Sequence, residues 1–204
     1  MKFQGEFQST YKQNEEHIFE IRKDPSIPLS LATVEWLAMG PSEFSVYVPF
    51  YSAAMTKTPA VYTTDSLESA DLDSVYWLFN EIGNAGNGNY YHVDEDGVYH
   101  DKYGKVIDAA TAKAVLKRLA DKAWVEEIRQ FMKETQKEVN ARFSLDDKRI
   151  IELAKTSSDK EITKIANRQA KENAEFIKKI AAKKLSEIDK SVDEYIRLIG
   201  DGKH

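Results

Sequence analysis

Four histidines, His17, His92, His100 and His204, are the side chains best suited here to proton transfer or metal ligation. His92 and His100 flank the presumed hairpin VDEDGVY, which with its surroundings also supplies Asp94, Asp96 and Asp101. A zinc-type site is one chemistry this composition permits, but no compact His-Glu-His run imposes convergence. The acidic run also suggests calcium. Its spacing does not fit the twelve-residue calcium loop, and no terminal Glu stands at the required place. A solvated hairpin turn around Asp96-Gly97 is the favoured reading. His17 opens an apolar run and reads as a structural hydrogen-bonding residue, and His204 is terminal. Ser42, Ser45 and Ser52 are candidate hydroxyl nucleophiles, yet none sits in a nucleophile elbow. Glu35 and Glu43 flank the apolar stretch from Thr33 to Ser52, where an acid/base pair can be drawn; acids at hairpin edges are commonly surface residues. The chain contains no cysteine, which removes disulfides, thiolate zinc sites and a cysteine nucleophile.

The elements that must position these residues change character near Asp108. Before it the chain is rich in aromatic residues, Pro and Gly; after it come Ala-, Lys-, Glu- and Ile-rich segments with no proline. His17–Arg22 reads as a strand and Lys23–Pro28 as a loop, because Pro25 and Pro28 would interrupt a central ladder. Thr33–Gly40 alternates, with Val34, Trp36 and Ala38 on one face and Leu37 and Met39 on the other. Both faces are partly apolar, as in a sheet buried between layers. Gly40–Glu43 forms the turn and Phe44–Phe50 returns. The aromatic set Trp36, Phe44, Tyr47, Phe50, Tyr51, Tyr76, Trp77 and Phe79 is expected in the core or along a cleft. Leu72–Ile82 carries helical spacing. Gly83–Asn89, GNAGNGN, is expected to be a flexible loop, since glycine raises the entropy cost of a helix; it lacks the strand–loop–helix context of a nucleotide fingerprint.

The second half reads as helices. The first is expected from Asp108 to about Val139, on a stripe of Val115, Leu119, Trp124, Ile128 and Phe131. A short helix is expected after Ser144, with Asp147 as its capping partner. Ser158 and Glu161 make a better capping box. Ile162, Ile165, Ala166, Gln169, Ala170, Asn173, Phe176, Ile177 and Ile180 trace a further stripe. Ile188, Val192, Tyr195, Ile196 and Ile199 continue it after a bend near Ser186, and Gly200 ends it. No strict heptad register specifies a coiled coil.

The chain has 204 residues and a net charge of -5. That balance gives no concentrated basic face for a phosphate backbone, so no nucleic acid partner is expected. No stretch approaches the roughly 20 apolar residues of a membrane span, and the first residues lack the apolar centre of a secretory signal. A cytoplasmic location is the default expectation.

The segments HIFEIRKD (residues 17–24), EWLAMGPSEFSVYVPFYS (35–52), Thr58-Pro59 and DSVYWLFN (73–80) occur in an order that resembles the C-terminal half of bacterial cysteine-type dipeptidases. These are the dipeptidase A group of the N-terminal nucleophile hydrolases. The resemblance covers roughly residues 11–90. It implies an α+β fold: the C-terminal part of a layered αββα hydrolase, with a β-rich core part at 1–107 and a helical region at 108–204. It also implies hydrolysis of short peptides, especially dipeptides, by an N-terminal cysteine through an acyl-enzyme, without metal or organic cofactor. The chain departs from the family in having no cysteine, and Met1 is followed by Lys2 rather than by Ser or Thr. An incomplete site is therefore expected, with a Cys-bearing half upstream or on a second chain. Lys12 falls where the family places an arginine, and lysine cannot copy the two-pronged carboxylate fork. Tyr76, Trp77 and Asn80 are the expected substrate-lining residues. A sheet left without its partner strands predicts either a homo-oligomer or protection by the helical tail. The competing readings are a non-catalytic scaffold built on this fold and a metal hydrolase using His92, His100 and nearby acids.

Overall fold

The computed structural model describes residues 15–39, 44–63 and 71–201. Lys12, Ser42, Glu43 and His204 lie outside the described residues. Strands β1 (Glu15–Ile21), β2 (Thr33–Met39) and β3 (Tyr47–Phe50) form an antiparallel sheet in that order. Trp36 of central β2 stands opposite Ile18 on one side and Pro49 on the other. Pro49 is tolerated because β3 is an edge strand, where a missing N–H costs no ladder bond. β3 begins only at Tyr47, shorter than the expected Phe44–Phe50 run. Phe44 and Val46 are instead buried in the core beside the strand.

The register places Val34 and Trp36 on one face, and Leu37, Val48 and Phe50 on the other. Each face has its own apolar cluster. Val34 and Trp36 pack with Leu31, Tyr51, Phe143, Ile150 and Ile162. Leu37, Val48 and Phe50 join a larger core built from all four helices. The doubly apolar pattern of β2 thus reflects helices on both sides of the sheet, the mixed α+β layering expected from the sequence.

Helix α1 spans Val75–Asn87 and corrects the loop expected at Gly83–Asn89. Gly83 and Gly86 lie under Phe44, and a Cβ added at Gly86 would meet the Phe44 ring at 2.6 Å. Close packing of a buried ring offsets the entropy cost of helical glycine. The helix stops at Gly88, whose φ of +84° is the left-handed C-cap conformation. Trp124 donates its indole N–H to the Ala85 carbonyl at 3.2 Å, locking α1 to the helical half.

The expected helix from Asp108 to Val139 is two: α2 (Ala109–Leu119) and α3 (Lys122–Ala154). Asp121 restarts the chain by accepting from the Ala123 N–H at 2.8 Å, as Asp108 does for Thr111 at 2.9 Å. No helix starts after Ser144, because α3 runs through it. Phe143 and Ile150, seven residues apart, both bury against the sheet, and that packing overrides a local cap signal. Asp147 is not a cap: it accepts from Arg22 Nη1 at 2.7 Å and from the Tyr51 hydroxyl. The Ser158–Glu161 box does form and opens α4 (Asp159–Gly200), which continues uninterrupted through Ser186.

Two side-chain amides tie the helices to the backbone of the first half. Gln136 accepts from the Tyr47 N–H at 2.7 Å and donates to the Tyr47 carbonyl at 3.0 Å. It occupies the open edge of β3 as a neighbouring strand would. Asn167 accepts from the backbone N–H groups of Thr56 and Lys57 at 3.0 and 3.2 Å. The helical tail therefore protects one sheet edge. On β1, Phe19 and Ile21 remain 56% and 72% exposed.

A second, small sheet joins β4 (His92–Val93), β5 (Tyr99–His100) and β6 (Val106–Ile107). Its two turns repeat one device. Asp94 Oδ1 accepts from the Asp96 and Val98 N–H groups, and Asp101 Oδ1 from those of Tyr103 and Lys105. Gly97 and Gly104, each at φ +79°, complete the turns. The expected hairpin is present, followed by a second one.

Candidate functional site

One face of α1 carries Trp77, Glu81 and Asn84, at i, i+4 and i+7. The opposite face, with Val75, Leu78, Phe79 and Ile82, is buried in the core. The β4–β6 meander stands across from the polar face and leaves a cleft of about 790 Å³. Its walls include Trp77, Glu81, Asn84, Tyr91, His100 and Lys102.

The meander is held there by a cationic anchor. The Lys102 side chain is only 4% exposed and reaches Asp189 of α4 at 2.6 Å. Its ammonium lies 4.7 Å from the centre of the Tyr90 ring, within cation–π range. Tyr90 donates its hydroxyl to the same Asp189 oxygen at 2.7 Å. Burial and the Asp189 carboxylate both push the Tyr90 phenol far up, so it stays a donor. Tyr91, mainly through burial, is pushed up to about 12.

Glu81 is 7% exposed. Burial raises its pKa, partly opposed by the Lys102 charge and by the Asn84 amide. Its Oε1 takes a long 3.4 Å hydrogen bond from Asn84. On the rim, His100 Nε2 lies 2.8 Å from Asp94 Oδ2. That contact raises the His100 pKa and lowers that of Asp94.

A second hollow of about 300 Å³ lies on the sheet, between Glu35, Leu37, Phe50, Lys57 and Tyr62. His17 Nδ1 lies 2.6 Å from Glu35 Oε1 at its edge. The Tyr62 hydroxyl is buried there without a hydrogen-bond partner. Of the candidate acid pair, only Glu35 falls among the described residues. Ser52 lines this hollow, whereas Ser45 is buried.

Of the expected substrate-lining residues, Trp77 lines the cleft. Tyr76 packs against the main core and meets the Trp77 ring edge-on at 5.5 Å. Asn80 accepts from the Asn84 amide at 3.1 Å, behind the lining. His92 and His100 are cross-strand neighbours, as the metal reading requires. Even so, no group of three or more His, Asp or Glu side chains converges among the described residues. Glu81, Lys102, Tyr90 and Asp189 were not singled out in the sequence. The i, i+4, i+7 spacing of Trp77, Glu81 and Asn84 was a readable signal. The link from Lys102 to Asp189, 87 residues apart, was not.

Residues 6–102 match the profile of Peptidase family C69. The chain is similar to Dipeptidase A of Lactobacillus helveticus, 33% identical over 101 residues, which is 50% of this chain and 18% of that protein. It is also similar to Probable dipeptidase B of Lactococcus lactis subsp. lactis, 39% identical over 74 residues, 36% of this chain and 15% of that protein. A third relative is Probable dipeptidase A of Streptococcus pyogenes, 29% identical over 72 residues, 35% of this chain and 15% of that protein. The matched stretches thus span less than a fifth of these relatives' own lengths. They establish a family-level link between the first half of the chain and the dipeptidases. No helix among the described residues is long and apolar enough to cross a membrane.

Proposed function

We propose that this chain is the C-terminal portion of a short-peptide hydrolase, shaping the substrate side of a site whose cysteine nucleophile it does not carry. One observation carries the reading. The stretch matched by Peptidase family C69 includes the whole first sheet and α1, while none of the 204 residues is a cysteine. In the complete site the cysteine thiol gives its proton to the cysteine's own α-amino group, and the resulting thiolate attacks the amide carbonyl. That proton then leaves with the departing amine as the C–N bond breaks, and water hydrolyses the thioester. This chain's contribution is the cleft wall, with Trp77 facing the substrate and Tyr76 and Asn80 fixing Trp77 and its helix. Lys12 takes the place of the family's carboxylate-orienting arginine.

On this reading residues 1–107 are part of the hydrolase core and 108–204 the helical region packed on it. A Cys-bearing segment is the principal partner, and the setting is the cytoplasm. The β1 surface with Phe19 and Ile21 is available to that partner or to a second copy. A non-catalytic scaffold is the second reading, favoured by the way α3 and α4 grip the backbone at Tyr47, Thr56 and Lys57.

The test is dipeptide hydrolysis by the purified chain, alone and co-expressed with a Cys-bearing upstream polypeptide. Turnover is expected only from the complex. Robust turnover by the chain alone would overturn the missing-nucleophile argument. Neither complex nor turnover, with a stable oligomer that binds no short peptide, would leave the scaffold reading in place.

A further inference from the structure

The hollow on the first sheet holds a polar group that the fold leaves unserved. The Tyr62 hydroxyl is closed off from water and has no hydrogen-bond partner among the described residues. The residue is held at both ends. Tyr62 closes a short 3-10 turn, Ala60–Tyr62, and its N–H donates to the Pro59 carbonyl at 3.0 Å. Its ring meets that of Phe50 edge-on at 5.5 Å. Burial alone pushes its phenol up, with no charged group acting on it, so the hydroxyl keeps its proton and is a donor without an acceptor. A buried donor left unmet is costly. The hollow it lines is about 300 Å³, at the lower end for small-molecule pockets, with Leu37, Phe50 and Met55 as the apolar wall. Among the described residues its charged lining is one acid, Glu35, and one base, Lys57. Glu35 is already met by His17 at 2.6 Å.

We propose that this hollow is a binding site for a small neutral molecule with an apolar body and one carbonyl oxygen, the oxygen accepting from Tyr62 and the body lying against Leu37, Phe50 and Met55. Water does not reach the hydroxyl, so the acceptor has to arrive on a body that seats in the apolar wall. Met55, unbranched and adaptable, is the wall side chain best able to yield to it. A carboxylate is disfavoured, because it would lose its hydration beside a hydroxyl that no cation supports. A hydrocarbon of the same shape leaves the hydroxyl unmet. The hollow shares no described lining residue with the α1–meander cleft, and the proposal does not rest on the peptidase reading.

The experiment uses the full 204-residue chain and three probes of one shape. These are acetophenone, α-methylstyrene, in which a methylene replaces the oxygen, and the anion benzoate. Binding is followed by backbone amide NMR shifts. Acetophenone is expected to shift the amides of Leu37, Phe50 and Lys57, and to bind more tightly than benzoate. Tyr62→Phe removes the hydroxyl and keeps the ring. It is expected to lower the acetophenone-to-α-methylstyrene affinity ratio at least about fivefold, the worth of one hydrogen bond. Taking the change in that ratio cancels the difference between the two probes in water. The same variant, without any probe, is expected to unfold at a urea concentration no lower than the wild type, since it loses a donor that had no partner. An unchanged ratio, shifts mapping elsewhere, or benzoate binding as tightly as acetophenone would each overturn the site. A lower urea midpoint for Tyr62→Phe would overturn it too, by showing that the hydroxyl is already served within the protein. The shift map and the benzoate comparison are read on the wild type and need no variant to fold.

Discussion

The two three-stranded sheets of this protein are built by opposite means. In β1–β3 the strands are up to seven residues long, and β2 is buried on both faces by side chains from distant helices. In β4–β6 each strand is two residues long. Nothing that short persists through ladder bonds alone. It is set by Asp94 and Asp101 holding their own turns and by one lysine reaching α4. The first sheet is specified by packing on both faces, and the second by turn chemistry, the Lys102 anchor and the packing of Tyr99 and Ile107 on the main core. The candidate cleft lies where the locally built sheet meets α1.

The contrast predicts very different costs for damage in the two regions. Phe143→Ala removes the ring that meets both Trp36 and Tyr51, and is expected to cost about 3–5 kcal/mol in urea unfolding. A loss under about 1 kcal/mol would mean that the helical layer does not hold this sheet. Gly86→Ala drives a methyl into the buried Phe44 ring. It is expected to cost about 1–3 kcal/mol, with partial recovery when Phe44 is trimmed to Leu in the double variant. Simple additivity would place the strain elsewhere.

Gln136→Ala strips the Tyr47 backbone of both partners. A loss of about 1–2 kcal/mol is expected, with concentration-dependent association visible by light scattering as β3 becomes an open edge. A variant that stays monomeric at every concentration would show that the edge is guarded by something else. The smallest effect is local and depends on pH. His100 has its pKa raised by Asp94, so this contact stabilises the meander below the ordinary histidine pKa and is lost as pH rises through the higher folded value. Amide protection in β4 and β5 should therefore fall across that window while the first sheet is unaffected. Asp94→Asn should bring the His100 titration back toward about 6.5. An unperturbed His100 in the wild type would remove the contact from the account.

Much of this was legible in the amino-acid order. The alternation at Thr33–Met39 announced a sheet apolar on both faces, and β2 is covered on both. Ser158 and Glu161 announced the start of α4, because a capping box is satisfied within four residues. Asp96-Gly97 announced a turn for the same reason. The break between α2 and α3 was also written locally, in Asp121 and in the five-residue step from Leu119 to Trp124, which steps off the helical stripe. Reading the apolar residues as one continuous stripe hid it.

Tertiary contact decided the rest. The glycines at 83 and 86 carry a loop signal on their own, and they are helical because Phe44 needs the space above them. Ser144 and Asp147 imitate a cap, but Phe143 and Ile150 hold α3 straight against the sheet, and Arg22 and Tyr51 claim the carboxylate. Glu81 looks like an ordinary helical acid until the meander and α4 close around it. A local pattern is resolved by hydrogen bonds a few residues apart, whereas burial depends on which distant segment arrives. The protein's sheets, caps and turns therefore follow from the sequence, and the buried acid that gives the cleft its character follows only from the fold.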